Sequence, residues 1–302
     1  MKFFIAIPTY NGGDIWRETV INIKKNAPKN TFVQVIDSGS KDETVAVATK
    51  AGFDVISITS EDFNHGDTRN KVVFNNINQF DIVIFLTQDA IPTPGFTENI
   101  VQVFSDPSVA CAYGRQLPHK DATPLAEHAR RFNYPEASHI CDLSNAATMG
   151  LKAVFMSNSF AAYRLSTFNK LGGFPSNTIL CEDMYFAAKA LLSGYKSAYV
   201  ANAVVKHSHN YTAIEEFKRY FDIGVFHTDQ PWIKKEFGGA GHEGSKFIVS
   251  EIKFISITRL PWLVKAFFNN SMKILGYKLG SKYKLFPIEF IKKFSMHKKY
   301  WT

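Results

Sequence analysis

Short apolar runs alternate with longer stretches of mixed polarity through the first hundred residues. Phe3 to Ile7 is unbroken and apolar, Thr31 to Ile36 is rich in β-branched residues, and Phe53 to Ile58 and Ile82 to Leu86 repeat the pattern. Runs this short predict buried strands. Between them, Asp14 to Asn26, Lys41 to Ala51 and Thr68 to Asn78 carry helix formers. Strand and helix patterns at this spacing predict an α/β fold, a parallel sheet with helices on both faces. In such sheets ligands bind beyond the carboxyl ends of the strands, so the residues that follow each run are the candidates for chemistry.

The middle of the chain, roughly residues 110 to 210, mixes short strands with longer helices. Phe186 to Ser193 predicts a helix ended by Gly194, and Ser197 to Lys206 predicts a strand. Asn210 opens another helix through Phe221, with Thr212 and Glu215 spaced as a capping box. Gly172-Gly173 and Gly238-Gly239-Ala240-Gly241 mark loops. From residue 246 the pattern turns amphipathic, with Lys and Arg among Phe, Ile, Leu and Trp. We therefore expect one α/β domain over 1–245 and a basic, aromatic-rich helical segment over 246–302.

Charge sharpens that division. The formal net charge is +8, but Lys246 to Thr302 carries 12 Lys/Arg against 2 Asp/Glu, while the residues before it carry 23 against 25. A basic tail implies an anionic partner, a membrane surface or a nucleic acid. No nucleic-acid recognition motif is present, and the Phe and Leu content fits a peripheral membrane segment better. No stretch of about 18 apolar residues predicts a transmembrane helix, and Pro8-Thr9-Tyr10-Asn11 ends the first apolar run too early for a signal-peptide core. Cys111, Cys141 and Cys181 are odd in number and form no Cys-x-x-Cys pair, so they read as reduced, mostly buried thiols of a cytosolic protein. Twenty-seven Phe residues predict a core rich in aromatic rings.

Candidate chemistry sits where the sheet predicts it. Asp37 follows the second run and opens Asp37-Ser38-Gly39-Ser40-Lys41-Asp42. A carboxylate there can accept from a pyrimidine NH or a ribose hydroxyl, or it can cap the turn. Arg69, in Asp67-Thr68-Arg69-Asn70 at a helix start, can reach a diphosphate or lie exposed. Asp89 ends the fourth run in Thr87-Gln88-Asp89-Ala90 and is a candidate ligand for a diphosphate-bound divalent ion. Glu182-Asp183 pairs two carboxylates that can divide the work of base and orienting group. His207 and His209 are two apart on or just past a strand and point to one face, which suits a metal or a structural hydrogen bond. No Gly-x-Gly-x-x-Gly follows the first strand, which weighs against a dinucleotide site, and there is no Gly-Lys-Ser/Thr phosphate loop.

The order of these signals resembles the inverting family-2 glycosyltransferases, whose catalytic domain has the GT-A fold, a Rossmann-like nucleotide-diphospho-sugar transferase fold. PTYN, DSGSKDET, TRN, TQDA and Glu182-Asp183 followed by the histidines carry the likeness. Within that group the chain looks most like bacterial rhamnosyltransferases, through FNHGDTRN, FLTQDA, HARRFNYP, SNSFAAYR with GGFP, CEDMYFAAKALLSGY and GYKLG…SMHKKYW. The resemblance implies that Thr9, Tyr10, Asn11, Asp37, Gly39, Arg69 and Gln88 bind the nucleotide. It implies that Asp89, with His207 and His209, holds a divalent Mg2+ or Mn2+, and that Asp183, next to Glu182, is the base that deprotonates the acceptor. Many members have Asp-x-Asp where this chain has Thr87-Gln88-Asp89, which puts more weight on His207. The implied reaction is inverting transfer of L-rhamnose from dTDP-β-L-rhamnose, giving an α linkage, onto a surface-polysaccharide glycan, lipid-linked, at the inner face of the bacterial membrane. Another dTDP- or UDP-sugar donor remains an alternative, as does a non-catalytic nucleotide-sugar-binding protein.

Overall fold

Val33–Asp37 and Ile82–Leu86 are buried throughout, and the first run is buried at its centre, so the sheet forms around them. A computed structural model describes residues 1–239, 243–255 and 260–301; the end of the expected Gly238–Gly241 loop lies outside the described residues. Strands β1 (Phe3–Thr9), β2 (Val33–Asp37), β3 (Asp54–Ser57) and β4 (Ile82–Leu86) alternate with helices α1 (Gly13–Asn26), α2 (Thr44–Lys50) and α3 (His65–Asn76). Then come β5 (Ile91–Pro92), α4 (Phe96–Gln102), β6 (Val109–Leu117), α5 (Pro124–Asn133), β7 (His139–Cys141), α6 (Ala146–Met149), β8 (Phe160–Arg164) and α7 (Leu165–Lys170). Helix α8 (Glu182–Leu192), β9 (Lys196–Lys206), α9 (Ala213–Asp229), α10 (Pro231–Phe237), α11 (Glu243–Ile255), α12 (Leu260–Gly280) and α13 (Ile288–Phe294) follow. The Thr212–Glu215 capping box forms at the start of α9.

The expected parallel sheet is only half of the sheet observed. Its order is β3-β2-β1-β4-β8-β6-β9-β5, with β7 on β9. β1 to β4 are mutually parallel, as expected, but β8 runs antiparallel to both β4 and β6, and β5 and β7 run antiparallel to β9. Parallel neighbours need a crossover over the sheet face. Between β6 and β8 the chain makes none: it leaves β6 and re-enters β8 at the same end, so the intervening residues build up the rim beyond the strand ends. That rim is where the candidate residues lie.

The aromatic core forms as expected. Tyr163 stands edge-on to Phe174 and Phe186, with ring centroids 5.1 and 5.2 Å apart, directly beneath the start of α8. The three cysteines are free thiols.

The tail does not fall away after residue 245. That position lies inside the segment that becomes α11, and α12 packs along α9. The contact is backbone to backbone: a Cβ at Gly276 or Gly280 would overlap the carbonyls of Phe217 and Phe221. Helix α12 is thus inside out. Its buried positions are Ala266, Asn269, Gly276 and Gly280, while Leu260, Val264, Phe267, Phe268, Ile274 and Leu275 are exposed. Of the tail aromatics, Phe254, Phe267 and Phe268 face solvent, whereas Trp262, Tyr277, Phe286 and Trp301 are half-buried against the rest of the protein. No helix among the described residues is long and apolar enough to cross a membrane.

Candidate active site

The parallel register levels the ends of β1 and β2, with Thr9 opposite Asp37. Thr9 Oγ1 donates to Asp37 Oδ1 at 3.0 Å. The other carboxylate oxygen accepts from the backbone N–H groups of Gly39 and Ser40 at 3.1 and 2.8 Å. Gly39 has φ +82°, the left-handed turn that glycine allows. Asn11 crosses to the same turn: its N–H donates to Ser40 Oγ and its Oδ1 accepts from Lys41 N, both at 2.8 Å. Gln88 closes the third side, its Oε1 accepting from Tyr10 N at 2.8 Å and its Nε2 donating to Tyr10 O at 3.1 Å. Six of the seven residues predicted for the nucleotide therefore frame one crevice at the ends of β1, β2 and β4. The seventh, Arg69, does not join them.

Strand pairing also explains the second group. Ile91 of β5 pairs with Lys206 of β9, which brings the preceding turn against the residues after β9. Asp89 Oδ2 lies 3.5 Å from His207 Nε2 and 3.6 Å from His209 Nε2. The orientation of His207 is set by Gln116, which sequence reasoning missed. Arg130 Nη1, which can only donate, lies 2.6 Å from Gln116 Oε1, fixing that atom as the amide oxygen. His207 Nδ1, 2.8 Å from the same oxygen, must carry the ring proton, so Nε2 turns a lone pair toward Asp89. Burial lowers both imidazoles, His209 to about 4, so both are neutral near pH 7. A lone pair and a carboxylate that face each other are both free to ligate a cation. One ligand atom from each of Asp89, His207 and His209 lies within 4.8 Å of the others, a mixed nitrogen and oxygen set that fits a divalent ion. Where many family members have Asp-x-Asp, this chain has Thr87-Gln88-Asp89 with two imidazole rings beside the one carboxylate.

The third group gathers around α8. Cys181 precedes it with φ +60°, a strained conformation for a side-chain-bearing residue and one that marks functional sites. Glu182 and Asp183 then occupy the first turn. Arg69 is buried and pairs with Glu182 Oε1 at 3.2 Å, so the structure brings it to the carboxylates and away from Thr9 and Asp37. Asn158, also missed, addresses both acids: its Nδ2 donates to Glu182 Oε1 at 2.8 Å and its backbone N–H to Asp183 Oδ2 at 3.0 Å. Tyr163 Oη holds Asn158 Oδ1 at 2.7 Å. The two acids move in opposite directions. Burial raises Glu182, but Arg69 and His65 outweigh it, leaving the carboxyl lowered. Burial and then the charge of Glu182 push Asp183 up to about 7. Environments that drive neighbouring carboxyls apart are how a fold assigns one to proton transfer and the other to charge.

Arg69, Glu182, Asp183, His207 and His209 line one cavity of about 530 Å3. The residues of the crevice at β1 and β2 do not. The tail closes the near side. Asp222 Oδ2 accepts from Met296 N at 2.9 Å and His297 N at 3.3 Å, and His297 Nδ1 lies 3.4 Å from His65 Nε2. Tyr300 Oη donates to Asn177 O at 3.0 Å. Arg130, Asn158, His65 and His297 all lie in stretches that carry the resemblance to rhamnosyltransferases, but neither spacing nor residue type alone signalled their place.

With this geometry in view, the comparisons with known proteins are decisive for the family. The profile of glycosyl transferase family 2 matches residues 4–172. The chain belongs to glycosyltransferase family 2. It is 51% identical to the O-antigen chain rhamnosyltransferase RfbN of Salmonella typhimurium over 304 residues, covering 100% of this chain and 96% of that one. It is 47% identical to the O-antigen chain rhamnosyltransferase WbaN of Salmonella anatum over 303 residues, with the same coverage. The mannosyltransferase PcManGT from Pyrobaculum calidifontis, solved with GDP-Man and Mn2+, superposes with TM-score 0.60 at 17% identity, covering 99% of this chain and 84% of that one. S. aureus TarS 1-349 in complex with UDP-GlcNAc superposes with TM-score 0.53 at 15% identity, covering 94% and 92%. This family-2 glycosyltransferase has the GT-A architecture with C-terminal helices added. The matched residues stop short of α8, so the carboxylate pair rests on the geometry around Asn158.

Proposed function

We propose that this glycosyltransferase moves L-rhamnose from dTDP-β-L-rhamnose, with inversion, onto a hydroxyl of a lipid-linked O-antigen glycan at the cytoplasmic face of the bacterial inner membrane. The sugar and the glycan are supported by the two rhamnosyltransferase relatives. The observation that carries the mechanism is Asp183, fixed by Asn158 N and Met184 N and raised to about 7 beside a cavity. A base with that pKa takes a hydroxyl proton efficiently near neutral pH. The acceptor oxygen then attacks the anomeric carbon from the face opposite the departing diphosphate, a single displacement that turns a β donor into an α product. Thr9, Tyr10, Asn11, Asp37, Gly39 and Gln88 hold the nucleoside end, and Glu182, neutralised by Arg69, orients the site through Asn158. Bound at Asp89, His207 and His209, Mg2+ or Mn2+ supplies charge neutralisation for the leaving group. Arg130, on the same cavity, adds a second positive charge.

The test is a panel of donors with extracted lipid-linked acceptor: dTDP-β-L-rhamnose, UDP-GlcNAc and GDP-mannose, with product analysed by NMR. Release of dTDP and an α-rhamnosyl product are expected. Turnover with another donor in preference to dTDP-rhamnose overturns the donor assignment, and retained anomeric configuration overturns Asp183 as base.

Membrane contact belongs to the same reading. The exposed face of α12 presents Leu260, Val264, Phe267, Phe268, Ile274 and Leu275, and Lys278, Lys282, Lys284, Lys292 and Lys293 are exposed along and after it. Apolar side chains ringed by lysines match an anionic bilayer surface, at about 1 kcal/mol per Lys near the lipid. The protein is expected to sediment with anionic liposomes, to release with salt and to ignore neutral ones. Failure to bind anionic liposomes at low salt removes the membrane from the reading.

A further inference from the structure

Helices α9, α11 and α12 form the far wall of the cavity, with Arg219, His227, Glu251, Asn269 and Lys273 among its residues. The charges that face the cavity do not cancel. Arg69 is paired with Glu182 at 3.2 Å, and Lys273 with Glu216 at 3.3 Å. Arg130 is engaged by Gln116. Arg219 is left over: it lines the cavity, is open to solvent, and has neither an ion-pair nor a hydrogen-bond partner among the described residues. Its one ring contact is with Tyr220, the centroid lying 6.0 Å from Cζ. The other carboxyls of the cavity do not answer it. Glu251 is 2% exposed and accepts from Asn270 Nδ2 at 2.6 Å, and burial pushes its carboxyl up. Asp183 is held by Asn158 and Met184. The solvent that reaches Arg219 is that of the cavity itself. Its charge acts on Tyr134 after α5, Cys181 before α8, Tyr211 after β9 and His297 in the tail, all of which line the cavity. A guanidinium within reach of all four stands inside the opening, with the phenols of Tyr211 and Tyr220 beside it. A planar fork of donors flanked by hydroxyls matches the oxygens of a phosphate.

We propose that Arg219, with Tyr211 and Tyr220, is a phosphate-binding subsite distinct from the Asp89–His207–His209 group. The inference rests on the glycosyl-transfer reading and assigns to Arg219 a binding role. Under that reading two phosphates can reach the cavity: the diphosphate of the donor, and the phosphate that joins the acceptor glycan to its lipid. Asp89, a divalent ion and Arg130 together carry two positive charges, which match the two negative charges of a nucleotide diphospho-sugar. Arg219 is surplus to that balance, so charge favours the phosphate of the acceptor.

The experiment uses the full chain with extracted lipid-linked acceptor and two kinds of competitor: undecyl diphosphate esters of galactose and glucose, and the matching undecyl glycosides without phosphate. Inhibition constants are measured for each, and the Kd of dTDP in Mn2+ by calorimetry, for wild type, Arg219→Gln and Arg219→Lys. Wild type is expected to bind the diphosphates more tightly than the glycosides. Arg219→Gln is expected to weaken the diphosphates about 10–100-fold, the effect of one lost charge-assisted hydrogen bond, and to change the glycosides less than about twofold. Arg219→Lys, which keeps the charge and loses the fork, is expected to recover part of the affinity and carries the comparison if the glutamine variant does not fold. Loss on the diphosphates with dTDP unchanged assigns the phosphate to the acceptor. Weaker dTDP with the competitors unchanged keeps the subsite and assigns it to the donor. Unchanged binding of both in a folded variant, or equal loss for diphosphates and glycosides, overturns the subsite alone. Absence of transfer from every sugar nucleotide in the wild type overturns the transfer reading and this inference with it.

Discussion

At the ends of β1 and β2, Thr9, Asn11, Asp37, Ser40 and Gln88 already have partners within the protein, whereas the far wall of the cavity holds Asn269 and His227 with atoms that have none. The first region is a finished frame whose hydrogen bonds are already made. The second leaves two buried polar atoms unsatisfied. Preorganised contacts add to stability in the empty protein, and orphaned ones subtract from it. The first region is therefore built to be rigid, and the second gives up stability.

The comparison yields expectations that can be ranked. The largest effect should come from the point where the two regions meet. Asp183→Asn is expected to lower kcat by about 10²–10⁴-fold while dTDP-rhamnose binds as before, measured by single-turnover transfer and calorimetry. Near-normal turnover would show that another group takes the proton.

Asp89→Ala is expected to weaken nucleotide-diphosphate binding in Mn2+ by about 10–100-fold and to leave binding in EDTA unchanged. Equal affinity with and without the ion in both proteins would make the Asp89–His207–His209 group structural.

The two ends should then separate in stability. Asp37→Ala strips acceptors from Gly39, Ser40 and Thr9 and is expected to cost about 1–3 kcal/mol in denaturant unfolding. Asn269→Leu, which replaces an orphaned oxygen with carbon, is expected to leave the midpoint unchanged or raise it. A loss as large as that of Asp37→Ala would erase the distinction drawn between the regions.

The smallest effect depends on pH. The folded protein raises Asp183 to about 7, chiefly by burial and then by Glu182. A raised carboxyl favours the fold below its unfolded pKa, and that contribution is lost as pH rises through about 7. Asp183→Asn should therefore melt about 2–4 °C above wild type at pH 8, with the gap closing toward pH 4. In the same window the wild-type rate should fall as pH drops below about 7, because the base is then protonated. A rate that stays flat from pH 8 to pH 5 would detach Asp183 from proton transfer.

The same two regions differ in how far the sequence disclosed them. Asp37 and its partners Gly39 and Ser40 are within three residues of each other, and Thr9 follows an apolar run that can only be a strand, so the crevice could be read from local pattern. The sheet's first four strands were legible for the same reason. Its second half was not, because the direction of β8 depends on where the chain goes between β6 and β8 and not on the residues of β8 itself. The wall of the cavity draws on Asn158, Glu182, His227 and Asn269, which local periodicity cannot relate. Arg69 shows the limit at a single residue: its place at the start of α3 pointed to a diphosphate, but the fold brings Glu182 to it first. The tail was read as a separate basic, aromatic-rich segment, and only its outer face is exposed and apolar. Its glycines, invisible to a hydrophobic pattern, tie its inner face to α9.

Those glycines turn α12 into a ruler. Because Gly276 and Gly280 seat it against the backbone of α9, the helix cannot drift from the body of the enzyme. One of its sides carries Phe267 and Phe268 and the other carries Asn269. A helix with its side chains is about 10–12 Å across. Any surface that meets the outer side would thus lie roughly that far from the cavity wall at Asn269.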